Sequence, residues 1–346
     1  MTSRLKFAST CVVLLLLSAS ACSPPAAPST TSTPTAAPAS PSATEAKSSI
    51  AGANRWIAYQ GLGASGLDST FLVRTDGSND HEILTELPGE RRHPDFSRDG
   101  KRLAFDQLNG SPPDQTYVAD GDGSAPELLA KCTGTCMQHY EPAWSPDGRR
   151  IAVATTTVDK SERVGLAIID VDSQAVHQVI EHDVTEGLDH FPRWSADGAR
   201  IVFWRARPKT DGTVETAVFV VAVTGKGPKQ LTPWDMLGGD PDWSPTGSLI
   251  VFGTRPLQEF QQAGESELYV IQPDGTDQRR LTNYGPTGPR ATHPRWTPDG
   301  KAILYVRTTQ TGSPRHVYAM TADGGQDAAL LTAKDIYTHP VMHPTS

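Results

Sequence analysis

A seven-residue motif that recurs five times constrains this chain more than any other feature. Pro94-Asp95-Phe96-Ser97-Arg98-Asp99-Gly100 returns as Pro142-Ala143-Trp144-Ser145-Pro146-Asp147-Gly148 and as Pro192-Arg193-Trp194-Ser195-Ala196-Asp197-Gly198. Two further copies are Pro241-Asp242-Trp243-Ser244-Pro245-Thr246-Gly247 and Pro294-Arg295-Trp296-Thr297-Pro298-Asp299-Gly300. By subtraction, the motif prolines lie 48, 50, 49 and 53 residues apart. A fixed period of this length marks a fold built from stacked supersecondary units. The aromatic supplies the apolar bulk that wedges between neighbouring sheets. Ser-Pro-Asp-Gly is hairpin chemistry, in which Pro fixes φ, Asp bonds locally and Gly takes the left-handed conformation.

A short β-rich run follows each turn: Leu103-Ala104-Phe105, Ile151-Ala152-Val153, Ile201-Val202-Phe203, Leu249-Ile250-Val251-Phe252 and Ile303-Leu304-Tyr305. A second hairpin closes each unit, with turns such as Thr75-Asp76-Gly77 and Gln272-Pro273-Asp274-Gly275. The closing strands end alike at Ile83-Leu84-Thr85, Leu231-Thr232, Leu281-Thr282 and Leu331-Thr332. Four short strands per repeat are the pattern of propeller blades. Arg55-Trp56-Ile57-Ala58-Tyr59 reads as a second strand with no motif before it, and Thr338-His339-Pro340-Val341-Met342 as a motif start with no strand after it. Joined, they make one more blade. The sequence therefore predicts an all-β, six-bladed β-propeller of four-stranded antiparallel blades over residues 51–346, closed by pairing of the N- and C-terminal segments.

These motifs resemble the TolB-type propeller repeat, a Pro-x-Trp-Ser-Pro-Asp-Gly turn followed by an apolar strand. The chain departs from that pattern at Phe96, Arg98, Ala196, Thr246 and Met342. TolB proteins also carry an α/β domain before the propeller, where this chain reads differently. The resemblance implies a propeller that acts in protein interaction.

Arg4 and Lys6 precede an apolar run from Cys11 to Leu17, then Ser18-Ala19-Ser20-Ala21-Cys22. That run is short of the roughly 20 residues needed to span a bilayer and reads as a signal peptide over residues 1–21. Small residues ahead of a cysteine resemble the bacterial lipobox, which makes Cys22 the candidate lipidation site and an acyl chain the membrane anchor. Residues 22–50 are dominated by Pro, Ala, Ser and Thr, a composition that buries no core and reads as a disordered tether. The expected location is extracytoplasmic, lipid-anchored to a bacterial membrane, at the outer membrane or cell surface. Ser23 after the cysteine resembles the outer-membrane sorting pattern of lipoproteins.

The formal net charge is -8, and loss of Arg4 and Lys6 with the leader makes the chain more acidic still. Phosphate backbones require a basic surface, so nucleic acid is excluded as a partner. Gly61-Leu62-Gly63-Ala64-Ser65-Gly66 matches a dinucleotide fingerprint, but a strand-like run follows where a helix is required. The motif serines recur in every unit but one, as a structural residue does and a nucleophile does not. Asp120-Gly121-Asp122-Gly123 lacks the glutamate of a calcium loop, since Lys131 stands at its twelfth position. No cofactor or catalytic residue is expected. Cys132 and Cys136 read as a disulfide in an oxidising compartment.

The position before the motif proline is the best binding candidate. Across the blades it holds His93, Glu141, Phe191, Asp240, His293 and His339, with His190 one residue earlier in the third copy. Inner strands line a propeller's central channel, so these positions form a ring. His93, Glu141, His190, Asp240, His293 and His339 are accordingly the expected ligand-binding residues, for a protein or peptide of the cell envelope. Two alternatives stay open: a metal-dependent enzyme of lyase or lactonase type using the channel histidines, and a sensor for a cell-wall saccharide.

Overall fold

In the computed structural model the described residues are 54–344, apart from 111–113, 131–136, 158–162, 255–265, 310–313, 326 and 335–336. Twenty-four strands form six four-stranded antiparallel sheets. Blade 1 is the split one. Its strands run Thr338–Met342, Trp56–Leu62, Asp68–Arg74 and His81–Glu82 from the axis outward. Blades 2 to 6 begin with the inner strands Glu90–Phe96, Met137–Trp144, Leu188–Trp194, Gly238–Trp243 and Arg290–Trp296. Each blade packs on the next, and blade 6 packs on blade 1, so the ring closes.

The closure is a pairing of chain ends. Ile57 faces Met342 and Ala58 faces Val341 across an antiparallel ladder. The tail then crosses onto blade 2: the His343 N–H donates to the Trp56 carbonyl, its ring Nε2 lies 2.8 Å from the Gly100 carbonyl, and the ring stands edge-on to Phe96.

The repeated turn explains its own residues. In blades 2, 3, 4 and 6 the hydroxyl of Ser97, Ser145, Ser195 or Thr297 donates to the carboxylate two residues on, at 2.5–2.7 Å. That hydroxyl also accepts the N–H of the residue opening the second strand, at 2.9–3.0 Å. These bonds hold the carboxyls of Asp99, Asp197 and Asp299 below their ordinary range, burial opposing this most at Asp299. In blade 5 Thr246 replaces the aspartate, and the Ser244–Thr246 hydroxyl contact is longer, at 3.2 Å.

Six apolar clusters hold the ring, one at each blade interface. Phe96 anchors the one between blades 1 and 2, Trp144 and Trp194 the next two, and Trp243, Trp296 and Met342 the rest. Arg150 and Arg200 extend from one blade over Trp194 and Trp243 of the next, at 4.7 and 4.9 Å from the ring centres, adding cation–π attraction to apolar burial. The outer strands of blades 1, 2, 4 and 5 are only two residues long. The Ile83-Leu84 and Leu231 positions, expected to end those strands, lie just beyond them and fill the interfaces instead. Among the described residues no helix is long and apolar enough to cross a membrane.

Candidate binding site in the channel

Each inner strand carries an irregularity at the residue before the motif proline. His93, Glu141, Phe191, Asp240, His293 and His339 all have positive φ, between 47° and 54°. The ladder shifts register at this point in every blade. This is bulge geometry, and the proline that follows has no N–H to lose from the ladder. A left-handed conformation at a residue other than glycine costs of order 1 kcal/mol. Six equivalent costs are carried together, one in each inner strand beside the channel.

Four of the six side chains meet there. The Phe191 and His339 rings stack at 5.0 Å, His93 stands edge-on to both at 5.1 and 4.7 Å, and His293 lies 4.2 Å from His339. Both ring nitrogens of His339 are enclosed without a partner. Burial, with His293, His93, Arg193 and Arg92 around it, drives its pKa far below the ordinary histidine value, so the ring is neutral. Asp240 lies 4.0 Å from His293 Nε2.

The remaining acids stitch blades together. Asp106 Oδ1 lies 2.6 Å from His93 Nδ1 and accepts the Glu141 N–H at 3.1 Å, tying blade 2 to blade 3. Burial alone raises the Asp106 pKa, but His93 and Arg92 outweigh it and hold the carboxylate ionised. Glu141 Oε2 accepts the Phe191 N–H at 2.7 Å, tying blade 3 to blade 4, and its Oε1 lies 3.2 Å from His190 Nδ1. His190 is therefore not in the ring: Phe191 occupies the equivalent position, and His190 stacks on Trp204 at 4.6 Å. Burial disfavours charge on His190, yet Glu141 prevails and raises its pKa.

Two residues further along each strand lies a second layer: Val341, Asp95, Ala143, Arg193, Asp242 and Arg295, the middle residue of each Pro-x-aromatic triplet. These side chains border a cavity of about 190 Å³ at the turn end of the channel, lined also by the motif tryptophans. Asp95 and Asp242 accept the backbone N–H of Trp144 and Trp296 in the following blade, both at 2.8 Å. Burial raises both carboxyls, Asp242 to about 7, while Arg193 and those N–H bonds pull the other way. Sequence reasoning stopped at the first layer. The signal for the second was there, because residues i and i+2 of a strand share a face.

Cys22, Cys132 and Cys136 lie outside the described residues. Among the described residues no group of three or more His, Cys, Asp or Glu side chains is arranged to hold a metal ion.

Fold and site define a six-bladed propeller whose channel is lined by polar residues that join its blades. The chain belongs to the TolB beta propeller domain family, whose model matches residues 69–260. The crystal structure of TolB from Acinetobacter baumannii is similar, with a TM-score of 0.64 at 18% identity over 84% of this chain and 67% of that one. An oligogalacturonate lyase in complex with manganese shares the fold at a TM-score of 0.50 and 19% identity, over 80% and 73% of the two chains. Dipeptidyl-peptidase 5 of Porphyromonas endodontalis is 33% identical over 113 residues, 32% of this chain and 15% of that protein. The chain spans 15% to 16% of the length of the curated relatives it matches.

Proposed function

We propose that this chain is a lipid-anchored, extracytoplasmic propeller that binds a protein or peptide of the cell envelope in its channel, at the histidine ring. The observation that carries this reading is the fate of the polar groups there. Asp106 and Glu141 are committed to backbone N–H groups of the next blade, which holds the ring as a preorganised set of imidazole and phenyl edges. A preorganised surface of this kind binds without first losing its own side-chain freedom. Membership of the TolB family supports the interaction role, and the leader, Cys22 and the Pro/Ala-rich segment support the anchor.

The test is capture of partners by crosslinking in intact membranes, comparing wild type with a His93→Ala, His293→Ala double variant. A discrete partner lost in the variant supports the reading. Stoichiometric, tightly held metal in the purified wild type, absent from the same variant, would replace it with a metal-dependent enzyme.

A further inference from the structure

The cavity at the turn end of the channel has a donor surplus that the fold leaves unmet. Arg193 and Arg295 are 5% and 6% exposed. Arg193 gives Nη1 to the Pro142 carbonyl at 3.1 Å and to the Pro192 carbonyl at 3.4 Å, and its Nε has no partner. Arg295 makes no hydrogen bond or ion pair among the described residues, and its Nη1 is enclosed. A buried guanidinium without compensation is costly, typically several kcal/mol. The two aspartates of the same layer attract Arg193 through space but leave the donors unmet: neither forms a direct ion pair with either arginine, and each directs Oδ2 to a backbone N–H. The indole N–H groups of Trp144, Trp243 and Trp296 are also unpartnered, whereas that of Trp194 reaches the Ala143 carbonyl at 3.0 Å.

We propose that this cavity is a carboxylate-binding site in which Arg193 and Arg295 are the donors. An acceptor-rich occupant answers the surplus, and the planar fork of a guanidinium matches a carboxylate edge to edge. A phosphate dianion suits the site less, because Asp95 and Asp242 already bring negative charge into the layer. The volume of about 190 Å³ admits several non-hydrogen atoms beyond the carboxylate, and Phe96, Val341 and Met342 line an apolar flank for them. The carboxylate can come from a small free acid or from the C-terminus of a peptide. This site lies in the layer two residues along each inner strand from the histidine ring, toward the motif turns, and does not depend on the reading of that ring.

Calorimetric titration of the full chain tests it with N-acetylalanine, its amide, inorganic phosphate, and an acetylated trialanine with a free or amidated terminus. Saturable binding of the free carboxylates is expected, roughly tenfold or more tighter than of the matching amides, the worth of a hydrogen bond to a charged group. Arg295→Gln should weaken carboxylate binding to a similar degree while the melting transition persists. Binding should also tighten from pH 8 to pH 6 as Asp242 takes up a proton. The groups that face Asp242 are Arg193, the carboxyl of Asp95 and the backbone N–H of Trp296 and Trp243. A tighter trialanine identifies a chain terminus as the ligand, and a tighter N-acetylalanine identifies a small acid. Equal binding of acid and amide, tighter binding of phosphate, or no saturable binding of any carboxylate overturns the proposal. These wild-type comparisons decide the question even if the Arg295 variant fails to fold.

Discussion

Replacing Asp242 with Asn should change the stability of the propeller in a pH-dependent way. Asp242 sits between Arg193 and the Trp296 N–H, and burial raises its carboxyl from 3.8 to about 7. In the unfolded chain it titrates near the ordinary value. A carboxyl raised by folding binds its proton more tightly in the native state. It therefore favours folding fully below the unfolded pKa and loses that contribution as pH rises through 7. Between pH 5 and pH 8 the linkage relation gives wild type a loss of about 2–3 kcal/mol from this group alone. Asn keeps an oxygen for the Trp296 N–H and does not titrate. The Asn variant should therefore gain on wild type by that amount from pH 5 to pH 8, about 5 °C in melting temperature for a domain of this size. Urea or thermal melts of both proteins at the two pH values, in buffers free of carboxylates, measure it. The comparison is a double difference, so any constant penalty from the altered Arg193 environment cancels. A stability gap that is the same at both pH values would refute the reasoning.

Three further outcomes are expected. Thr246→Asp should restore the hydroxyl-to-carboxylate bond that the blade 5 turn lacks and add about 0.5–1 kcal/mol in denaturant melts, as a neutral-to-charged hydrogen bond at a partly exposed turn does. Trp243→Ala empties the interface between blades 4 and 5 and should cost about 3–5 kcal/mol, read by the same melts, with an unchanged midpoint contradicting the wedge role. Cys22→Ser should release the protein from membranes into the soluble envelope fraction, and unchanged retention on fractionation would remove the lipid anchor from the account.

Blade number and closure were legible because the turn chemistry repeats. Four of the five copies pair a hydroxyl with a carboxylate two residues on, and the aromatic of every copy fills an interface, so the residues that specify the hairpin are also those that count the blades. The split blade was legible from two complementary fragments, Trp56-Ile57-Ala58-Tyr59 and Thr338–Met342. The backbone of the histidine ring was not. Left-handed residues are read from glycine or asparagine, and the six here are His, Glu, Phe, Asp, His and His, held by the bulge rather than by their own preference. In blade 4 motif alignment already put Phe191 at the equivalent position, and the bulge sets that ring, not the His190 preferred for its chemistry, in line with the others. Asp106, which joins His93 to the next blade, was hidden because its role arises from a second strand folding back against the first. Arg193, Arg295, Asp95 and Asp242 sit at the variable position of the motif. Variation there looks like tolerance in one dimension and is a charged layer in three.

The central claim is that the histidine ring of the channel contacts an envelope partner. Site-specific photocrosslinking in living cells tests it most directly, with a photoreactive residue in place of His93 and, as a control, in place of the exposed Val176 on the outer strand of blade 3. The account predicts a discrete crosslinked protein from position 93 and none from position 176. Adducts confined to position 176, with position 93 silent, would contradict it.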